Sequence, residues 1–429
     1  MNKFINNFVV GIDVSSESLV ISILMPGGDS YKRNLTVNND LKGFKKLLII
    51  LNEINEKYKS NPKIFMESTG LYHISLLNYL IKNNFECYVI NPIQTKNFAK
   101  QSIRKVKNDN IDSLRIAQLA QSPSFICESS FDEQNFLLKK LCREYDSLVN
   151  NRSHYKKKLL SLLNLVFPKF AQVFSEVTGK ASLELLSAYP TYADFLSASK
   201  SEVLELIRTN TNHSKEWAEK KYKSIKIIAE EAKALMLPSD FLDTEITCFV
   251  KIIKSLSESI EMMENRIKKI YTNNPVLEKN VELICTLPGI AEMSAITLLA
   301  ETGDMKKFKN AKKVVAFLGL DSSVSQSGAY IGTHNKMTKR GSRLARKVLY
   351  NVALNSIKKN KNGPLMNEVL KEYYLKLCER KPKKAAICIL MRKIINYIFA
   401  ILRDQHPYEM RRPEEHRKLY FGESYIEAI

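Results

Sequence analysis

Two short apolar runs near the start of the chain each close on a carboxylate. Phe8-Val9-Val10-Gly11-Ile12 runs into Asp13, and Ile64-Phe65-Met66 runs into Glu67. Short runs of β-branched and aromatic residues bounded by turn signals read as strands. A charge at the end of a buried strand is costly unless something compensates it. The surrounding pattern predicts strands at 8–14, 19–25 and 30–37, with Pro26-Gly27-Gly28 as the turn between the last two. A helix is expected over 41–57, where Leu41, Phe44, Leu47, Leu48, Leu51 and Ile54 share a face. Then come a strand at 64–67, a helix at 71–82, a strand at 87–90, a basic stretch after Pro92, and a helix at 110–121. Strands followed by alternating helices and strands make an α/β domain.

Beyond it the reading is helical, so the fold class is α/β plus α. Long helices are expected over 136–167 and 244–271, with short ones at 181–187, 192–197 and 200–207. The long pair suits either a coiled coil or a bundle core. Asn274-Pro275 reads as a linker, and helices resume at 340–358 and 385–402. From Ser322 to Lys336 the periodicity stops in a Ser, Gly and Thr-rich stretch. The expected divisions are 1–128, an α/β domain; 129–275, a helical or coiled-coil region for oligomerisation and nucleic-acid contacts; 276–402, a third domain; and 403–429, a polar, poorly ordered tail.

The 66 Lys and Arg against 45 Asp and Glu leave a formal charge of +21. Such an excess favours a polyanionic partner, most simply nucleic acid. The Lys, Asn and Ile content also fits an AT-rich genome, which would account for part of the Lys excess without function. A membrane is the rival partner, and no run of about 18 apolar residues is found. The seven cysteines are scattered and form no Cys-x-x-Cys pair, which argues against zinc and against a disulfide framework. With no signal-peptide pattern, a reduced, cytoplasmic setting is expected.

In Lys107-Asn108-Asp109-Asn110-Ile111-Asp112, two more carboxylates stand three apart and share a helix face. Four carboxylates on strand ends and a helix supply the hard oxygen ligands for two divalent ions about 4 Å apart at a phosphodiester. Singly, Asp13 reads as a turn residue, Asp109 as an N-cap and Asp112 as a surface charge; as a set of four, a metal platform is the stronger reading. Lys339 and Arg340 precede Gly341, and Arg343, Arg346 and Lys347 follow along one side of a helix. With Lys336 they form an expected phosphate-binding face. Lys105 and Lys107 belong to a second basic run. Leu287-Pro288-Gly289-Ile290 before a helix reads as a helix-hairpin-helix-like turn whose Gly289 lets backbone N–H groups reach a phosphate, or as a bare interhelical turn. The serines of the 322–336 stretch read locally as linker.

The stretches Gly-Ile-Asp-Val-Ser at Asp13, Met-Glu-Ser-Thr-Gly at Glu67 and Lys-Asn-Asp-Asn-Ile-Asp-Ser-Leu-Arg-Ile-Ala at Asp109 and Asp112 resemble the three blocks of the DEDD-type insertion-sequence transposases. These are related to the Piv-type DNA invertases. The resemblance implies a ribonuclease-H-like (RuvC-like) first domain with Asp13, Glu67, Asp109 and Asp112 as an acidic tetrad binding Mg²⁺, or Mn²⁺. It implies a C-terminal transposase domain opening near Gly289. There a Gly-Leu segment (Gly319-Leu320) precedes a Ser-Gly whose serine attacks DNA phosphate. The matching residue is Ser327, with Ser325 as the alternative if the register shifts. This chain has Asn108 and Ser113 where the family often has Thr and Ala, and Asp321 and Gln326 also depart from the family pattern. The resemblance further implies double-stranded DNA at the element ends and target, a noncoding bridge RNA that selects them, a homodimer or tetramer, and a place at the nucleoid. Two other functions fit the acidic residues or the charge: a RuvC-like structure-specific nuclease using metal-activated water, and a non-catalytic nucleic-acid-binding protein.

Overall fold

The computed structural model describes residues 4–67, 70–90, 92–99, 109–123, 125, 132–235, 242–323, 326–327, 330–331, 336–359 and 363–421, with backbone only for 93, 109–110, 326–327, 330–331 and 420–421. They fall into two compact units, 1–136 and 137–429.

The first unit starts with β1 (Val9–Val14), β2 (Ser18–Leu24) and β3 (Ser30–Asn38), then α1 (Leu41–Tyr58), β4 (Lys63–Glu67), α2 (His73–Lys82), β5 (Cys87–Ile90), α3 (Pro92–Ala99) and α4 (Asp109–Gln121). The strands form one mixed sheet in the order β3-β2-β1-β4-β5. The β1–β2 and β2–β3 pairs are antiparallel, and β4 and β5 continue the sheet parallel to β1. The two-residue period of a strand divides the side chains cleanly between the faces. Val10, Ile12, Ile21, Ile23, Ile64 and Met66 bury one face beneath α1 and α2. Val9, Leu24, Phe65 and Tyr88 bury the other beneath Ile116, Ala117 and Ala120 of α4. Eight of these nine elements were legible in the sequence to within two residues. Helix α3 was not: its eight residues show little amphipathic pattern, and only Pro92 at its start signals a helix.

The second unit is almost all helix. It runs through α5 (Glu133–Val166, which begins in the first unit), α6 (Phe170–Val173), α7 (Lys180–Ala188), α8 (Tyr192–Ser197), α9 (Lys200–Thr209), α10 (Lys215–Leu235) and α11 (Asp243–Thr272). The end of α5, α6–α10 and the start of α11 enclose one apolar core. There follow α12 (Pro275–Cys285), α13 (Glu292–Thr302), a 3₁₀ turn (Met305–Lys307), α14 (Ala311–Phe317), β6 (Gln326–Ser327), β7 (Tyr330–Ile331), α15 (Arg343–Ser356), α16 (Glu368–Cys378), α17 (Lys383–Asp404) and α18 (Pro413–Phe421). Helices α12–α17 and the 3₁₀ turn build a second core, which also takes Leu138 and Cys142 of α5 and Ile267 and Tyr271 of α11. Helix α17 is long and apolar enough to cross a membrane by length and composition. Leu390, Ile394, Ile395 and Ile398 are fully buried along it, so within this fold it is a core helix. Part of the tail read as poorly ordered is the helix α18, with Pro413 at its start and Glu414 and Glu415 in its first turn, where acid suits the helix dipole.

Candidate active site

Asp13 and Glu67 stand one residue beyond Ile12↔Met66, the last registered pair of the parallel strands β1 and β4. By the strand period Asp13 shares a face with Val9 and Gly11, and Glu67 shares it with Phe65. That is the face α4 covers. The helix sits unusually close because Gly11 has no side chain. A Cβ at Gly11 would run into the Ser113 carbonyl and stand 2.5 Å from the Ala117 amide nitrogen. Gly11 pairs with Ser22 across the sheet, and the Ser22 and Ser113 hydroxyls hydrogen-bond at 2.8 Å in full burial. At the far end of α4, Gln121 donates to the carbonyls of Asn7 and Met25. Helix α4 therefore runs antiparallel to β1, and its first turn, carrying Asp109 and Asp112, lies at the end of the sheet that holds Asp13 and Glu67.

The carboxylates there are partly engaged by protein. Glu67 Oε2 accepts from Thr95 Oγ1 of α3 at 2.6 Å. Asp112 Oδ1 pairs with Arg115 Nη1 at 3.1 Å. Both Asp13 and Asp112 are half-buried. Among the described residues no group of three or more His, Cys, Asp or Glu side chains is gathered closely enough to hold a metal, and the Asp109 side chain lies outside them. An all-carboxylate donor set is nevertheless the chemistry of a hard divalent cation. The residues fit such an ion by donor type and by their common end of the sheet, with Arg115 as the cation Asp112 now holds. Sequence reading missed Thr95 and Arg115. A glycine inside a strand does signal close backbone approach, and Gly11 carried that signal.

The serine segment lies in the second unit. Ser327 ends β6 and pairs with Tyr330 of β7, and Gln326 pairs with Ile331. Nearer the helices, Ser322 bridges Met337, Ser323 N–H donates to Lys336 O at 2.8 Å, and Thr338 N–H to Asp321 O at 3.0 Å. The Thr338 hydroxyl also bonds the Asp321 carboxylate. The stretch that reads as linker in the sequence is thus, where described, a two-legged β structure rooted between α14 and α15. Ser325, Lys105 and Lys107 lie outside the described residues.

Lys336, Lys339, Arg340 and Arg343 are exposed around the second leg and the start of α15. Arg346 and Lys347 already have protein partners. Arg346 Nη1 donates to Leu318 O at 3.0 Å and Gly341 O at 2.7 Å, and burial lowers its pKa. Lys347 Nζ reaches Asp146 Oδ1 at 2.6 Å and Asn150 Oδ1 at 2.8 Å on α5. Gly289, at φ 99°, turns the chain between α12 and α13, and a Cβ there would stand 2.6 Å from Ser356 Oγ. The Ser356 hydroxyl donates to Pro288 O at 2.9 Å, so this turn packs on the end of α15. In the last turn of α13, Glu301 is buried and held by Arg143 of α5 through two hydrogen bonds of 2.6 and 3.0 Å, with Lys139 at 3.5 Å. Burial pushes the Glu301 carboxyl up, but the Arg143 bonds and the neighbouring cations outweigh it and hold its pKa below the ordinary value.

An α/β unit with carboxylates at one sheet end, followed by a basic helical unit, suits an enzyme that acts on a polyanion such as DNA. Residues 10–168 match the model of the IS110-type DEDD transposases, described as "Transposase", and residues 281–374 match the "Transposase IS116/IS110/IS902 family". The chain belongs to this family of insertion-sequence transposases, DNA-cutting recombinases in which divalent metal is in general use. It is 20% identical over 404 residues to the pilin gene-inverting protein of Moraxella bovis, covering 94% of this chain and 98% of that protein. It is 22% identical over 314 residues to the insertion element IS110 uncharacterized 43.6 kDa protein of Streptomyces coelicolor, covering 72% and 74%. To the transposase for insertion sequence element IS1111A of Coxiella burnetii it is 25% identical over 186 residues, 42% and 47% of the two chains.

Proposed function

We propose that this chain cuts and exchanges the DNA strands of an insertion sequence with Mg²⁺ held by Asp13, Glu67, Asp109 and Asp112 and with Ser327 as the nucleophile. The first unit is then a ribonuclease-H-like domain, in keeping with the sheet order β3-β2-β1-β4-β5. The observation that carries the reading is the antiparallel crossing of α4 over Gly11, which gives the four acidic positions one end of the sheet. Bound Mg²⁺ supplies charge neutralisation at the scissile phosphate and stabilises the leaving oxygen. The Ser327 hydroxyl forms a bond to phosphorus as the bond to the 3′ oxygen breaks; the serine proton passes to solvent and the 3′ end leaves as a hydroxyl. A 3′-hydroxyl of the exchanging strand then attacks the phosphoserine, releasing Ser327 and rejoining DNA. Exposed Lys336, Lys339, Arg340 and Arg343, with the Gly289 turn, serve the DNA backbone.

A bridge RNA selects the element ends and target, which suits a charge of +21 in a chain with few base-reading motifs. The working form is a dimer or tetramer, because strand exchange needs more than one copy of the site. The test is incubation of element-end duplex with candidate RNA and Mg²⁺. Asp13→Asn and Glu67→Gln are expected to lose cutting by at least about 100-fold while retaining DNA binding. Cutting at the wild-type rate in both variants overturns the metal platform. Unchanged site choice without RNA overturns the guidance.

A further inference from the structure

We propose that Arg346 is a positioning residue that clamps the base of the Ser327 hairpin, rather than a contact to DNA phosphate. This rests on the reading of Ser327 as nucleophile. The two legs of the hairpin leave α14 through Leu318-Gly319 and enter α15 through Arg340-Gly341. They cross in direct contact because both glycines lack a side chain. A Cβ on Gly319, itself at φ 66°, would stand 2.5 Å from the Arg340 nitrogen, and one on Gly341 would stand 2.6 Å from Leu318 Cα and run into the Phe317 carbonyl.

Arg346 lies one helical turn inside α15, and its Nη1 donates to one carbonyl on each leg, Leu318 and Gly341. Leu318 is the C-cap of α14, so the cation also meets the negative end of that helix. Above the clamp, Lys339 N–H donates to Gly319 O at 3.0 Å, and the Asp321 carboxylate holds the Thr338 hydroxyl. Arg346, the glycine crossing and the Asp321–Thr338 contact thus form three successive ties between the legs, all below Ser327. The planar, rigid guanidinium fixes Nη1 between the two carbonyls, where a lysine ammonium ends a more flexible stem and is held there less well. The neighbouring Arg343 is exposed and has no such role.

The test uses the full chain with Arg346→Gln, Arg346→Lys, Arg343→Gln and Ser327→Ala. Amide hydrogen exchange at Ser323, Thr338 and Lys339 is expected to quicken at least tenfold in Arg346→Gln. Exchange along α17 should stay unchanged, and Arg346→Lys should recover part of the loss. On mixed-sequence duplex DNA, log-log salt dependence of binding keeps its wild-type slope in Arg346→Gln, whereas Arg343→Gln lowers it by about 0.9. The cutting rate of DNA-saturated Arg346→Gln falls at least tenfold with its DNA Kd unchanged. Wild-type exchange in the hairpin, or a slope lowered as in Arg343→Gln, overturns the clamp. Ser327→Ala leaves hairpin exchange untouched; if it still cuts, the nucleophile reading fails, and the clamp is judged on exchange and salt slope alone.

Discussion

Gly11→Ala is the smallest change that separates the acidic residues. The added methyl collides with the Ser113 carbonyl and the Ala117 nitrogen, both backbone atoms that cannot swing aside. Helix α4 must then lift from β1, carrying Asp109 and Asp112 away from Asp13 and Glu67. Overpacking of this kind costs about 1–3 kcal/mol. The expected outcome is a lower urea midpoint and loss of DNA cutting with DNA binding retained; wild-type cutting would show that the close crossing is dispensable. At this scale the sequence was most informative about charge. Asp13 and Glu67 stand out because an apolar run leads to each. The buried Ser22–Ser113 bond was not legible, since it joins residues 91 apart and neither serine carries a pattern. It gives the serine after Asp112, a departure from the usual family residue, a local reason.

Between elements, the most consequential tie is α5 to α13 through Glu301. A buried carboxylate needs its cations, and removing one is costly even where another remains. Arg143→Leu leaves Glu301 with Lys139 and the Ser342 hydroxyl but without its hydrogen-bonded cation, and is expected to cost about 2 kcal/mol near neutral pH. Because the folded-state pKa of Glu301 is depressed, its contribution is present above the unfolded carboxylate value and lost as pH falls through the folded one. The wild-type urea midpoint should therefore drop on acidification from pH 7.5 towards about 4 and below, and by less in Arg143→Leu. Parallel pH profiles for the two proteins contradict the assignment. Elements with large apolar residues at regular spacing were legible, as in α1 and α11. Helix α10 was legible only as part of a helical region and without bounds, because three of its four buried positions are alanines (Ala218, Ala229 and Ala232), which leave a faint apolar stripe. The pairing of β6 with β7 was invisible for another reason: two residues are too few to show a period.

Across the whole molecule, the sheet end that carries the acidic positions and the hairpin that carries Ser327 belong to separate compact units, more than 200 residues apart in sequence. Composition indicated a nucleic-acid partner, and motif resemblance linked the two sites; periodicity alone would have left the hairpin as linker. The measurement that bears most directly on this account is a denaturing gel of end-labelled element DNA after reaction with protein, RNA and Mg²⁺, followed by peptide mapping of any shifted band. The expected result is a covalent protein–DNA adduct mapped to Ser327, absent in Ser327→Ala and in Asp13→Asn. Free cut ends without adduct, formed equally well by Ser327→Ala, would contradict it and leave a nuclease that uses water.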